Sequence, residues 1–311
     1  MFALSVTGAF WVALSACESL SQVSPLPPND ASDLDAGQPP EESTSSSSSG
    51  AVGLDAGTSN AVRFRLSNQL QGPDAIDYCV KADYQGAVWE NNLVSNNTQN
   101  PAKADGLFFG ETSQSYVTLT AAGPGSKFQV KIVPPGTDCA DTTAQVYLTL
   151  AAPVTARQNT GVTIVAVGKL EKEDAGDANG KVTTMGDTLA PSPTSSLFRV
   201  FHGVPDIAAF DVVINGETVL TGVKYGTAFG FPYTSTTGYA TINAGVPEGA
   251  TLTLRSGTTV RSFSIPQRLR RGIASTVFVG GTKDKLTVTL CSDRTPDEGD
   301  LAKCQKLAAQ E

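Results

Sequence analysis

Residues 198–216 read Phe198-Arg199-Val200-Phe201-His202-Gly203-Val204-Pro205-Asp206 and, after Ile207-Ala208-Ala209, Phe210-Asp211-Val212-Val213-Ile214-Asn215-Gly216. β-Branched and aromatic residues run up to Gly-Val-Pro, start again, and stop at Asn-Gly, whose two residues supply the positive φ values of a type I′ turn. This is the pattern of strands and a hairpin, with no helical period. An earlier part of the chain repeats it. Phe64-Arg65-Leu66 matches Phe198-Arg199-Val200, and Pro73-Asp74 with Asp77-Tyr78 matches Pro205-Asp206 with Asp211-Val212. Gly106-Leu107-Phe108-Phe109-Gly110 matches Gly222-Val223-Lys224-Tyr225-Gly226, and Thr163–Gly168 matches Ser275–Gly280. Four blocks in one order predict two copies of one unit. The predicted fold class is all-β: two tandem immunoglobulin-like β-sandwiches, at 61–170 and 195–290, separated by a linker or hairpin loop at 171–194. Thr251–Ile265 reads as a further hairpin turning near Ser256-Gly257, with Leu252 and Leu254 on its packed face.

The composition agrees. The chain has 311 residues, 40% hydrophobic and 17% charged, enough to bury two cores. Its net charge of −8 is concentrated at one end: residues 1–60 contain seven carboxylates and no Lys or Arg, while 61–311 carry 22 basic and 23 acidic residues. A near-neutral body speaks against a broad nucleic-acid-binding face. The single histidine, His202, excludes any multi-His metal site.

Phe2–Ala16 is an uncharged, mostly apolar run of 15 residues, too short to span a bilayer and suited to a signal-peptide core. No Lys or Arg precedes it. It ends in Leu14-Ser15-Ala16-Cys17, which resembles the lipobox of bacterial lipoproteins. That resemblance implies a signal peptide at 1–16, a lipidated Cys17 and a membrane anchor; Glu18 after the cysteine leans toward the outer membrane. Residues 17–60, with Pro25-Leu26-Pro27-Pro28, scattered acids and Ser46–Gly50, contain too little apolar surface to offset ordering entropy and are read as a disordered tether.

With Cys17 assigned to lipid, four cysteines remain. Proximity favours Cys79 with Cys139 and Cys291 with Cys304, the latter pair closing a C-terminal tail over 291–311. There is no C-x-x-C, so a metal site is the weaker alternative.

The pattern Phe198–Asp206, Phe210–Gly216 and Val223–Gly226 resembles domain-of-unknown-function family 4397, well over 195–280 and weakly over 61–168. Its members are secreted or lipid-anchored bacterial envelope proteins, often with tandem copies. The resemblance implies a location and a fold and supplies no reaction.

Candidate sites are few. His202 lies on the Phe198–Val200 face, and its counterpart in the first copy is Asn68, which cannot shuttle a proton; a structural role is expected. No G-x-S-x-G or S-x-x-K occurs. Asp77 and Asp211 are the carboxylates a glycosidase-type hydrolase would need, yet their matching positions point to turn capping. Asp174–Gly180 departs from the calcium-loop pattern and reads as a polar link. Asp293, Asp297, Glu298 and Asp300 read as solvated. Binding is the better expectation. The first copy carries about 16 extra residues between its Pro-Asp and G-x-x-F-G blocks, including Trp89–Leu93 and Asn96–Asn100. Trp89 is the candidate contact, with burial against its own sandwich the competing reading. In the second copy, Arg199 is counted with a basic surplus, and Arg268, Arg270 and Arg271 form a basic turn suited to an anionic envelope polymer, or simply an exposed turn. The sequence therefore points to a lipid-anchored envelope protein that binds or scaffolds. It needs no cofactor, metal or nucleic acid, and its partners are the membrane and an envelope polymer or protein. An extracytoplasmic carboxylate-dependent hydrolase is the alternative.

Overall fold

The computed structural model describes residues 61–90, 93–94, 104–114, 116–120, 126–155, 161–170, 180–189, 192–228, 238–242, 245–293 and 304–310. The leader, Cys17, the acidic segment before residue 61, Asn96–Asn100, Asp174–Asn179 and the acids Asp297, Glu298 and Asp300 lie outside them. Among the described residues there is no helix.

Within the described residues twenty strands form four sheets. The first sandwich has an inner sheet ordered β10 (Lys181–Asp187), β9 (Gly161–Lys169), β1 (Ala61–Gln71), β5 (Val117–Thr120). Its outer sheet is β3 (Trp89–Glu90), β2 (Ala75–Ala82), β6 (Lys127–Val133), β7 (Leu148–Thr149), with β4 (Leu107–Phe108) on β2 and β8 (Val154–Thr155) on β6. The second sandwich has an inner sheet β14 (Ala240–Ile242), β11 (Ser196–His202), β17 (Ala274–Gly281), β18 (Leu286–Ser292), β19 (Gln305–Lys306). Its outer sheet is β13 (Glu217–Lys224), β12 (Ala209–Ile214), β15 (Thr251–Ser256), β16 (Thr259–Ser264), β20 (Ala309–Gln310). The predicted Asn215-Gly216 turn joins β12 to β13 with φ of 50° and 87°, and β15 and β16 form the predicted hairpin.

In each copy the first strand pairs in parallel with a late one, β1 with β9 and β11 with β17. The register corrects the sequence alignment by one residue. Phe64 lies opposite Val162 and Phe198 opposite Ser275, so Thr163 corresponds to Thr276 and Gly168 to Gly281. The backbone agrees: Gly168 and Gly281 share positive φ, at 122° and 99°. Gly280 has a different duty, since a Cβ there would lie 1.9 Å from Gln69 Oε1.

Both faces of the inner strands are buried, which is why β9 and β17 read as near-continuous apolar runs. On β1, Val62, Phe64, Leu66 and Leu70 face the first core with Ile76, Val80 and Ile132; on β11, Phe198 and Val200 face the second with Val212, Leu252 and Leu290. The opposite faces meet each other: Val165, Val167 and Met185 pack with Phe201, Ala228, Phe278 and the Cys291–Cys304 disulfide. The two sandwiches are thus fused through a third buried layer, within one compact unit. Seven of the 24 residues of the 171–194 segment are strand, because β10 pairs with β9 along its whole length. The 291–311 tail adds β19 and β20 to the edges of β18 and β16. Both cysteine pairings are as expected, Cys79 with Cys139 and Cys291 with Cys304.

Candidate functional site

The buried layer between the repeats contains charge, contrary to the sequence expectation for two residues. Asp293 is fully buried rather than solvated, and Arg199 is buried rather than part of a basic surface. Arg65 of the first repeat donates to Asp293 and to the Ser292 carbonyl of the second; Arg199 of the second donates to Asp187 and to the Gly186 carbonyl of the first. Each carboxylate is completed within its own repeat. Asp187 accepts from the hydroxyls of Tyr116 (2.8 Å) and Thr163 (2.7 Å), and Asp293 from those of Tyr239 (2.5 Å) and Thr276 (2.6 Å). The guanidinium of Arg65 stacks 4.4 Å from the Tyr116 ring, and that of Arg199 4.4 Å from Tyr239. Burial alone would raise the Asp293 pKa; Arg65, Arg199 and the two hydroxyls outweigh it and hold the carboxyl below its ordinary range. Two arginines and two aspartates, exchanged between repeats, leave no net charge in the layer.

The other candidates for chemistry are likewise committed to structure. His202 Nδ1 accepts the Val204 N–H at 3.2 Å, as Asn68 Oδ1 accepts the Leu70 N–H at 2.9 Å in the first repeat. With Nδ1 an acceptor, the ring is the neutral tautomer protonated on Nε2. Burial, opposed by the Ile207 backbone, pushes its pKa down to about 4. Asp77 Oδ1 accepts the N–H groups of Tyr78 (2.7 Å) and Val94 (3.0 Å), and Asp211 accepts that of Gly222 at 2.8 Å.

Trp89 lies half-buried on the outer face of the first sandwich, packed on the Cys79–Cys139 disulfide and flanked by Lys131 Nζ (4.6 Å) and Lys81 Nζ (5.3 Å). Lys131 in turn donates to the Cys139 carbonyl. Arg268, Arg270 and Arg271 are exposed, as expected, in the segment leading into β17.

The extra residues of the first repeat reach a different place. Leu93 and Val94 form one wall of a cavity of about 570 Å³ at the repeat junction. Phe108 and Phe109 from the G-x-x-F-G block, with Glu111 just after it, form another, and Thr289 and Lys306 of the second repeat close it. Phe108 is 43% exposed, a large aromatic left open beside an apolar floor. The Glu111 carboxylate accepts the Phe108 N–H at 2.8 Å, which holds the loop, and the Thr289 hydroxyl donates to the Gly110 carbonyl across the junction. A volume of this size, mostly apolar with a few polar groups, suits binding of a small molecule or a side chain. Sequence reasoning named the insert but not this cavity, since its walls come from residues about 200 positions apart.

Residues 196–303 match the family described as Domain of unknown function (DUF4397). The matched stretch begins at β11 and runs past Asp293, so it contains Arg199, His202 and the Tyr225-Gly226 turn. The first repeat, outside the match, has the same strand pairing as the DUF4397 repeat and the same buried Arg, Tyr, Thr and Asp. No curated protein matches the chain. Among solved structures, a "putative cell adhesion protein" from Bacteroides ovatus ATCC 8483 is similar at 10% identity, covering 76% of this chain and 98% of that one, with a TM-score of 0.22.

Proposed function

We propose that this is a lipid-anchored protein of the bacterial cell envelope that binds a partner without turning it over, with the junction cavity as its contact site. One observation carries the reading: the cavity joins an apolar wall of the first repeat (Leu93, Val94, Phe108, Phe109) to Thr289 and Lys306 of the second, and the carboxylate that lines it, Glu111, accepts the Phe108 N–H and holds its own loop. Asp187 and Asp293 are saturated by donors in the buried layer, and the His202 imidazole is neutral and holds a turn. Anchoring at Cys17 follows from the lipobox-like segment, and an outer-membrane location from Glu18.

A photocrosslinking side chain at position 108 in intact cells should trap a defined partner, and Lys306→Trp, which fills the cavity from its exposed rim, should abolish the adduct in the same background while the protein still folds. The same crosslinker at the exposed Val260, on the second outer sheet, is the control. Equal trapping from both positions would refute the assignment. Cys17→Ser should abolish fatty-acid labelling; retained labelling removes the anchor.

A further inference from the structure

We propose that the junction cavity binds the aliphatic chain of a fatty-acyl compound. The inference deepens the reading of this cavity as the contact site and rests on it.

Volume and the engagement of the lining polar groups decide the class. At about 570 Å³ the cavity has roughly four times the ~150 Å³ in which a single benzene ring is held, so one side chain of a partner would leave most of it unfilled. Its apolar wall comes from Leu93, Val94, Leu107, Phe109 and Val117, with the ring of Phe108 open beside them. The polar groups among them are already engaged. Thr112 Oγ1 pairs with Ser67 Oγ at 2.9 Å, Ser113 Oγ accepts the Leu66 N–H at 3.1 Å, and the Thr289 hydroxyl donates to the Gly110 carbonyl at 3.2 Å. The backbone of the same loop is spoken for as well: the Gly110 N–H donates to the Asn68 carbonyl (2.8 Å), the Glu111 carbonyl accepts the Asn68 N–H (2.9 Å), and the Leu107 carbonyl accepts from Asn68 Nδ2 (2.8 Å). Cys304 is tied to Cys291.

A ligand entering here finds contact area and few hydrogen-bond partners. A peptide segment long enough to fill the cavity would carry backbone N–H and C=O groups onto this lining, and a sugar would carry hydroxyls; each polar group buried without a partner weakens binding. An unbranched hydrocarbon chain makes no such demand and gains with every methylene it buries. Gln114 and Lys306 on the lining are exposed and Thr287 is half-buried, which suits a head group that stays in water. Lys306 and Glu111 are the charged residues of this lining, one of each sign, so the site selects the chain and not a head-group charge. The second repeat does not duplicate it. At Gly226, the counterpart of Gly110, an added Cβ would lie 2.5 Å from Lys181 Nζ, whereas at Gly110 it would meet the Thr287 methyl.

The test titrates octanoate, decanoate and dodecanoate into the full chain carrying Cys17→Ser, which keeps any attached lipid from competing, by calorimetry below micelle-forming concentrations. One site per chain is expected, tightening by roughly four-fold for each added methylene until the cavity is full. Lys306→Trp, filling the cavity from its rim, should weaken dodecanoate binding by about ten-fold or more, the equivalent of expelling two methylenes, with the thermal transition unchanged. Lys306→Gln should bind like wild type. A lysophosphatidylcholine with a dodecanoyl chain separates the sources: binding like dodecanoate assigns the site to the acyl chain of a lipid, and binding of the acid alone assigns it to free fatty acids. The proposal fails if no acid binds, if affinity does not rise with chain length, if Lys306→Trp binds as tightly as wild type, or if Lys306→Gln loses as much as Lys306→Trp. Crosslinking from position 108 is read separately. A trapped protein without acyl binding overturns this proposal and leaves the contact site standing, whereas acyl binding with equal trapping from positions 108 and 260 overturns the partner reading and leaves the acyl site.

Discussion

Replacing Asp293 with Asn should destabilise the whole body, because it strands a charge that belongs to the other repeat. In the native layer Asp293 accepts from Arg65 on one oxygen and from Tyr239 and Thr276 on the other. An amide keeps one acceptor and turns a donor either toward the Arg65 guanidinium, which can only donate, or toward the Tyr239 and Thr276 hydroxyls, which then lose their acceptor. Arg65, fully buried, retains the Ser292 carbonyl but loses the carboxylate that pairs with it. Breaking a buried pair from one side typically costs about 3–5 kcal/mol. For a body of this size, 2–4 °C per kcal/mol translates this into a fall of roughly 6–20 °C in Tm. Circular dichroism at fixed concentration should show one transition moving as a unit, since the lost contact joins the sandwiches. The partner variant Asp187→Asn should behave alike. Arg65→Met combined with Asp293→Leu should recover much of the loss, because no unpaired charge remains. A single Asp293→Asn variant within 1 kcal/mol of wild type, or two separated transitions in the native protein, would refute the reasoning. The pH dependence has a definite sign. The folded Asp293 pKa lies below the unfolded value of about 3.9, so its contribution is whole above that pH and is lost as pH falls through the folded value.

Other outcomes are expected. His202 titrates near 4 when folded and near 6.5 when unfolded, so stability should decline as pH falls from 6.5 to 4, by up to about 3 kcal/mol; His202→Asn, copying Asn68, should fold and abolish that decline in pH-dependent denaturation. Non-reducing peptide mapping should join Cys79 to Cys139 and Cys291 to Cys304, and Cys304→Ser, opening a 13-residue loop, should cost roughly 3 kcal/mol in urea denaturation. Trp89→Ala should lose about 2 kcal/mol by uncovering the Cys79–Cys139 bridge, half the cost of a fully buried tryptophan, while crosslinking from position 108 stays intact.

The duplicated blocks, the Asn215-Gly216 turn and the alternation in 251–265 were enough to read an all-β fold in two copies, because turn chemistry and a period of two are local properties of the chain. The cysteine pairs were legible for a related reason: each closes a loop within one repeat. His202 was legible as structural through its Asn68 counterpart, since both side chains accept a hydrogen bond from the N–H two residues on. The charged layer was not legible as such, although its signal was present: Arg, Tyr, Thr and Asp recur at Arg65/Arg199, Tyr116/Tyr239, Thr163/Thr276 and Asp187/Asp293. Each residue alone reads as surface, because a charge is buried only when its partner is buried with it. Here the partners are as much as 228 residues apart. The junction cavity needed the fold for the same reason, with walls from an insert in one repeat and a strand edge in the other. Periodicity specifies which face of a strand is apolar; only the packing of one inner sheet on another decides that the opposite face, polar along β1 at Arg65, Ser67 and Gln69, is buried as well.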